Sequence, residues 1–233
     1  TINSKICQAC KRMNPIFLFS CVIIAAFFVF NSPFTSFAQT EDQREFLIAS
    51  WNLLNFGQSR ADVDENLQVM AQIMTGSNYP DVGRNYDLIF VQELKSNGIA
   101  FDNLCNDYLA ELDYSCLKTP QLGGTGSNSE SYGVIFKNNI EVIVDDTSNE
   151  IVFPHIPQGE DTTASEMVRP PMKATVTLPN GLEFVVYNNH IKPGDPETAN
   201  ELSVLQNTIN NYHGVSTEDR IIVLGDLNAD GKP

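Results

Sequence analysis

Short apolar runs of strand length recur along the chain: Phe46 to Trp51, Leu88 to Val91, Tyr132 to Phe136, Val142 to Val144, Lys173 to Leu178, Phe184 to Tyr187 and Ile221 to Leu224. Several are continuously apolar, as strands covered on both faces are. Helical patterns lie between them. Val63, Leu67, Met70, Ala71 and Met74 fall on one helical face, as do Phe101, Leu104, Tyr108 and Leu112. The clearest helix starts at Asp195-Pro196-Glu197, which supplies a capping carboxylate, a proline at the first helical position and an acid in the first turn. Its apolar stripe is Leu202, Leu205, Ile209 and Tyr212, and His213-Gly214 is its stop signal. Asn180-Gly181 predicts a tight hairpin turn. Residues 119–131 and 154–168 read as mobile loops. No repeat or linker divides the pattern, which predicts one α/β domain with mixed sheets.

The first 38 residues do not fit that domain. Lys11, Arg12 and Met13 precede an apolar stretch from Ile16 to Phe30, followed by Ser36-Phe37-Ala38. This is the order of a secretory signal peptide: basic region, apolar region, small-residue cleavage site. As a helix the stretch rises about 22 Å, short of the ~30 Å hydrocarbon core. Cleavage after Ala38 is therefore expected, with an uncleaved membrane anchor as the rival. Met13 is a plausible start, which would leave residues 1–12, with Cys7 and Cys10, untranslated. The expected organisation is upstream residues and signal peptide over 1–38, then one domain over 39–233, in a protein exported to the cell exterior or a periplasm-like space.

Charge narrows the function. Fourteen Lys and Arg against 29 Asp and Glu give −15. Three basic residues and no acids lie in the first 38 positions, so eleven against 29 leave −18 after cleavage. Such a protein does not wrap nucleic acid by neutralising phosphates; it can still act on one if bound cations supply positive charge. Cys105 and Cys116 remain, and in an exported protein they form either a disulfide or two buried thiols.

The chemistry lies at the strand ends. Asn52 follows the first run, and Gln92-Glu93 the second. Asn188-Asn189-His190 follows Tyr187, Gly225-Asp226-Leu227-Asn228 follows Leu224, and Glu130 precedes Tyr132. Ligand sites in layered α/β folds gather at such ends. Glu93 and Asn52 are hard oxygen donors suited to Mg²⁺, Mn²⁺ or Ca²⁺. Asp226 can orient or deprotonate a water, Asn228 can donate to it or to a phosphate, and His190 carries protons near neutral pH. Arg169 offers a guanidinium fork to a phosphate or to site carboxylates. The set describes metal-assisted hydrolysis of a phosphate ester.

Ile48-Ala49-Ser50-Trp51-Asn52, Val91-Gln92-Glu93, Asn189-His190 and Gly225-Asp226-Leu227-Asn228 stand in the order and approximate spacing of the endonuclease/exonuclease/phosphatase superfamily. The chain resembles its deoxyribonuclease-I-like branch over about residues 45 to 230. Glu130-Ser131-Tyr132 and Arg169-Pro170-Pro171 add to the likeness. The resemblance implies a four-layered α/β sandwich of two packed mixed sheets flanked by helices. It also implies Glu93 and Asn52 at the metal, Asp226 aligning water, Asn228 supporting the phosphate, His190 oriented by Glu130, and Arg169 and Tyr132 contacting the phosphate or shaping the site. The family pattern closes with Ser-Asp-His on a late strand, and this chain contains no Asp-His pair. On that resemblance the last strands are expected to be missing and the chain as written to have little activity.

The reading this supports is an exported, divalent-metal-dependent phosphodiester hydrolase acting on nucleic acid, with no stable membrane association after cleavage and no protein partner that can be inferred. Sphingomyelinase-like and phosphomonoesterase activities share the same core. The non-enzyme rival is a calcium module: Asp226-x-Asn228-x-Asp230-Gly231 fits the opening of an EF-hand loop, which requires a helix before it.

Overall fold

The computed structural model describes residues 45–57, 64–77, 85–121, 129–144, 167, 169–194, 196–213 and 220–229. The signal-peptide segment, the 154–166 stretch, Asp195 and Asp230-Gly231 lie outside the described residues. The elements run β1 (Ile48–Phe56), α1 (Asp64–Thr75), β2 (Leu88–Leu94), a 3-10 turn (Ser96–Gly98) and α2 (Ile99–Leu104). A π turn (Cys105–Leu109) and a 3-10 turn (Ala110–Leu112) lead to β3 (Tyr114–Lys118). Then come β4 (Ser131–Lys137), β5 (Glu141–Val144), β6 (Met172–Thr177), β7 (Glu183–His190), α3 (Glu197–His213) and β8 (Ile221–Asp226).

Two four-stranded mixed sheets form, ordered β1-β2-β4-β3 and β5-β6-β7-β8. β1 and β2 are parallel, as are β7 and β8, and the other pairings are antiparallel. The expected α/β sandwich is what the chain adopts. Between the sheets, Leu88, Phe90, Tyr132, Val134 and Phe136 meet Met172, Ala174, Val176, Phe184 and Val186. On the outer face of the first sheet, Ile89, Val91 and Ile135 pack against Leu67, Met70 and Met74 of α1 and Phe101 and Leu104 of α2. Consecutive residues of β2 thus enter two different cores, which explains an apolar run without alternation. Gly133 makes the second packing possible. A Cβ there would lie 2.7 Å from the Phe101 ring and 2.9 Å from Val91 Cγ2.

Three expectations need correction. β3 went unread because a half-exposed edge strand of Tyr-Ser-Cys-Leu-Lys buries only one face and has no apolar run. The pattern from Phe101 to Leu112 forms one α turn, a π turn and a 3-10 turn in place of a regular helix. The end of the expected 119–131 loop is not loose: Glu130 and Ser131 are buried, and Ser131 opens β4. Asn180-Gly181 does make the predicted hairpin, with Gly181 at φ 80 and Asn180 Oδ1 accepting from Leu182 N–H at 3.0 Å. Cys105 and Cys116 are disulfide-bonded, tying the π turn to β3.

Candidate active site

Pairing direction decides where polar residues meet. Parallel partners end on the same side, which places the C-terminal ends of β1 and β2 together, and likewise those of β7 and β8. An antiparallel neighbour begins where its partner ends. β4 therefore starts beside the end of β2, with Ser131 opposite Leu94, and β6 starts beside the end of β7, with Met172 opposite Asn188. Asn52, Glu93, His190, Asp226, Glu130 and Arg169 are the residues at those ends and starts.

They converge on one edge of the sandwich. The Asn52 Nδ2 donates to Glu93 Oε1 at 2.8 Å and to Asp226 Oδ2 at 2.9 Å, across a sequence gap of 174 residues in the second case. Its Oδ1 accepts from Leu54 N–H at 2.8 Å. A bulge in β1 puts Leu54 and Asn55 at φ 49 and 53, turning Asn55 N–H onto Glu93 Oε2 at 2.6 Å. Glu93 itself sits at φ 63, a left-handed conformation rare for residues with a side chain and a known feature of functional sites. Asp226 Oδ1 accepts from Asn228 N–H at 3.0 Å, while Asn228 Nδ2 donates to Ile191 O at 2.6 Å, clipping the loop after β8 to the end of β7. Gly225 allows that approach, since a Cβ at φ 126 would collide with the Asn189 carbonyl.

His190 is buried at the same edge, 7% exposed. Its Nδ1 is 2.6 Å from Glu130 Oε1, and its Nε2 faces Glu93 Oε1 at 3.7 Å. Glu130 is fully buried, and Oε2 faces Arg169 Nη1 at 3.6 Å. Arg169 also donates through Nε to His190 O at 3.0 Å, so its fork serves the site carboxylate and the strand end. Tyr132 is fully buried and shapes the site from beneath, its phenol oxygen accepting His190 N–H at 3.0 Å. Burial pushes its pKa well above the usual phenol value, and the nearby Glu130 carboxylate adds to the rise. The phenol stays protonated.

Two features were not given roles by sequence reasoning. Gln92 Nε2 donates to Asn188 Oδ1 at 2.6 Å and Ser50 Oγ at 3.0 Å, and Asn188 Nδ2 donates to Val91 O at 3.1 Å, joining the two sheets directly below the site. Their signal was present: amides at positions where a buried strand otherwise carries apolar side chains. Lys95 is the other, and its Nζ lies 3.4 Å from Glu130 Oε2. As a lysine just past a strand it reads as solvated, and its neighbour Glu130 is remote in sequence.

Among the described residues no three His, Cys, Asp or Glu side chains form a metal-holding group. The donor chemistry nevertheless fits a hard cation. Two carboxylates, Glu93 and Asp226, share one amide NH₂ between them, and Mg²⁺ typically takes one or two carboxylates and keeps several waters. Glu93 would hold it, with Asp226 alongside; Asn52 would join them only through Oδ1, the oxygen that here accepts Leu54 N–H, in place of the NH₂ that now bridges the two carboxylates. The EF-hand alternative fails on its first requirement, because the residues before Asp226 form strand β8 and not a helix.

The structure is therefore a two-sheet α/β sandwich with acidic, amide and histidine groups brought together at converging strand ends. The model of the endonuclease/exonuclease/phosphatase family matches residues 49–231, and the chain belongs to that family. Its members hydrolyse phosphoester bonds and generally use divalent metals. Among solved structures the chain is similar to an endonuclease/exonuclease/phosphatase family protein from Bacteroides thetaiotaomicron, with 16% identity, TM-score 0.50 and coverage of 80% of this chain and 64% of that one. It is similar to a mannosyl-6-phosphatase from the same species at 16% identity and TM-score 0.50, covering 79% of this chain and 66% of that one. The human Nocturnin catalytic domain with bound sulfate follows at 16% identity and TM-score 0.48, covering 78% and 64%. This likeness is one of fold. No curated protein matches the chain.

Proposed function

We propose that the protein is a divalent-cation-dependent phosphodiester hydrolase, an exported nuclease acting on DNA or RNA. The observation that carries this reading is the meeting of Asn52, Glu93, Asp226 and the His190–Glu130 pair from both sheets at one edge. A cation, when bound, polarises a phosphoryl oxygen and offsets the acidic charge. Asp226 accepts a proton from an attacking water in this reading, and the Asn228 N–H on Asp226 Oδ1 holds its carboxylate for that role. His190, with Nδ1 committed to Glu130, holds or releases a proton at Nε2. Mg²⁺ is the proposed ion, with Mn²⁺ or Ca²⁺ as substitutes.

Export is part of the proposal, with cleavage after Ala38. The Cys105–Cys116 bond supports it, since disulfides persist in oxidising compartments. The amino-terminal residue of the secreted protein tests it: Gln39 is expected, and a mature chain starting upstream of Ile16 would argue for an anchor.

The activity test is nicking of supercoiled plasmid and degradation of single-stranded DNA and RNA with Mg²⁺, Mn²⁺, Ca²⁺ or chelator. Cation-dependent cleavage is expected of the full-length secreted protein. A second reading, a phosphomonoesterase for a phosphorylated sugar, draws on the −15 charge, which disfavours a polyanion, and on the likeness to a mannosyl-6-phosphatase. Release of phosphate from mannose 6-phosphate without cleavage of any nucleic acid would replace the first reading by the second.

A further inference from the structure

We propose that Lys95 is a positioning residue that fixes the His190–Glu130 pair, an inference that rests on the phosphoester-hydrolase reading of the site. The two oxygens of Glu130 divide their work. Oε1 takes the His190 ring at 2.6 Å, and Oε2 faces Lys95 Nζ at 3.4 Å and Arg169 Nη1 at 3.6 Å. A carboxylate buried without compensating charge is strongly disfavoured, so cations on the Oε2 side offset the cost of its burial and orient it. Arg169 holds it from the β7 side, being anchored on His190 O. Lys95 holds it from the β2 side, and there its own backbone is fixed.

That anchoring is extensive. Lys95 N–H donates to Phe56 O at 2.9 Å, tying the end of β2 to the end of β1, and its carbonyl accepts Gly98 N–H at 2.9 Å. Nζ also donates to Ser129 O at 3.4 Å, at the approach to β4. Only 19% of the side chain is exposed. Lys95 therefore spans β1, β2 and the start of β4, two residues beyond Glu93. Displacing its ammonium removes one of the two cations that hold Glu130 Oε2, and loosens the partner that sets which nitrogen of the His190 ring carries the proton.

The test reads the His190 ring in nitrogen-15-edited NMR spectra of wild type, Lys95→Met and Lys95→Arg. Wild type is expected to show a proton held on Nδ1 by Glu130. Lys95→Met loses or averages that signal, and Lys95→Arg retains it. Where turnover of bis-para-nitrophenyl phosphate is measured, Lys95→Met lowers kcat roughly tenfold or more with KM within about twofold. Adding Lys95→Met to Glu130→Gln costs nothing further. An unchanged Nδ1 proton in folded Lys95→Met, or losses that add in the double variant, would overturn the proposal. If Lys95→Met does not fold, Lys95→Gln takes its place with the same two outcomes. The ring signal decides the matter independently of hydrolysis: inactivity of the wild type would count against the hydrolase reading and leave this test standing.

Discussion

Each sheet carries a parallel strand pair at one edge, β1 with β2 and β8 with β7, followed inward by two antiparallel neighbours. Each delivers two side chains from its parallel pair to the site: Asn52 and Glu93 from one, His190 and Asp226 from the other. They differ in cover. The first sheet has α1, α2 and a disulfide-tied π turn on its outer face, and Ile89 and Val91 are sealed beneath them. Among the described residues the second has α3, with Leu205 buried, while Val223 in β8 is 42% exposed. Among the described residues an apolar groove lies between them, lined by Leu202, Leu205, Ile209 and Val223. The comparison separates two properties. Pairing direction places the reactive groups, while the described outer cover differs between the two halves that hold them.

The largest effect expected is on the acidic pair. Glu93→Gln keeps the shape and removes one of the two anionic donors flanking Asn52, so cation binding measured by calorimetry disappears and activity falls by about 10³-fold or more. The same loss from Asp226→Asn would show both sheets to be needed at the cation; an effect confined to Glu93 would make the two contributions unequal.

Stability contrasts come next. Phe90→Ala, between the sheets, is expected to cost about 3–5 kcal/mol in chemical denaturation, whereas Val223→Ala on the exposed edge of β8 stays within about 1 kcal/mol. Replacing Cys105 and Cys116 together by Ser removes about 3 kcal/mol of chain-entropy stabilisation, acting on the better covered sheet. Hydrogen exchange then reads where it falls: faster exchange in β3 and β4, with β7 and β8 unchanged, sharpens the contrast, and uniform loosening breaks it.

A smaller effect than that of Phe90→Ala is expected at Tyr132. Tyr132→Phe leaves His190 N–H without its acceptor at a cost of about 1–3 kcal/mol. The sign of the pH dependence is fixed by the raised phenol pKa. The folded state keeps its proton where the unfolded chain has lost it, so this contribution is intact below about pH 10 and declines above it. Thermal unfolding of the wild type falls more steeply above about pH 10 than that of Tyr132→Phe.

Much of this arrangement was legible in the sequence because it follows from local signals. Apolar runs gave seven strands, and the polar residues that close them gave Asn52, Glu93, His190 and Asp226. What was not legible depends on partners distant in the chain. β3 buries one face only against β4, and Lys95 gains its role from a carboxylate 35 positions away. The Arg169 fork read as open to a phosphate or to site carboxylates, and the fold directs it onto Glu130 and the His190 carbonyl. Single residues at a strand end announce chemistry. The groups that orient them become visible only when sheets pack.

Crystals of residues 39–233 grown with Mn²⁺ and measured at the manganese absorption edge give the most direct test. The predicted result is one anomalous peak coordinated by Glu93, with Asp226 alongside and the Asn52 amide turned to present Oδ1 in place of the NH₂ that bridges the two carboxylates. An ion bound elsewhere, with Glu93 and Asp226 still sharing the Asn52 amide, would contradict the account.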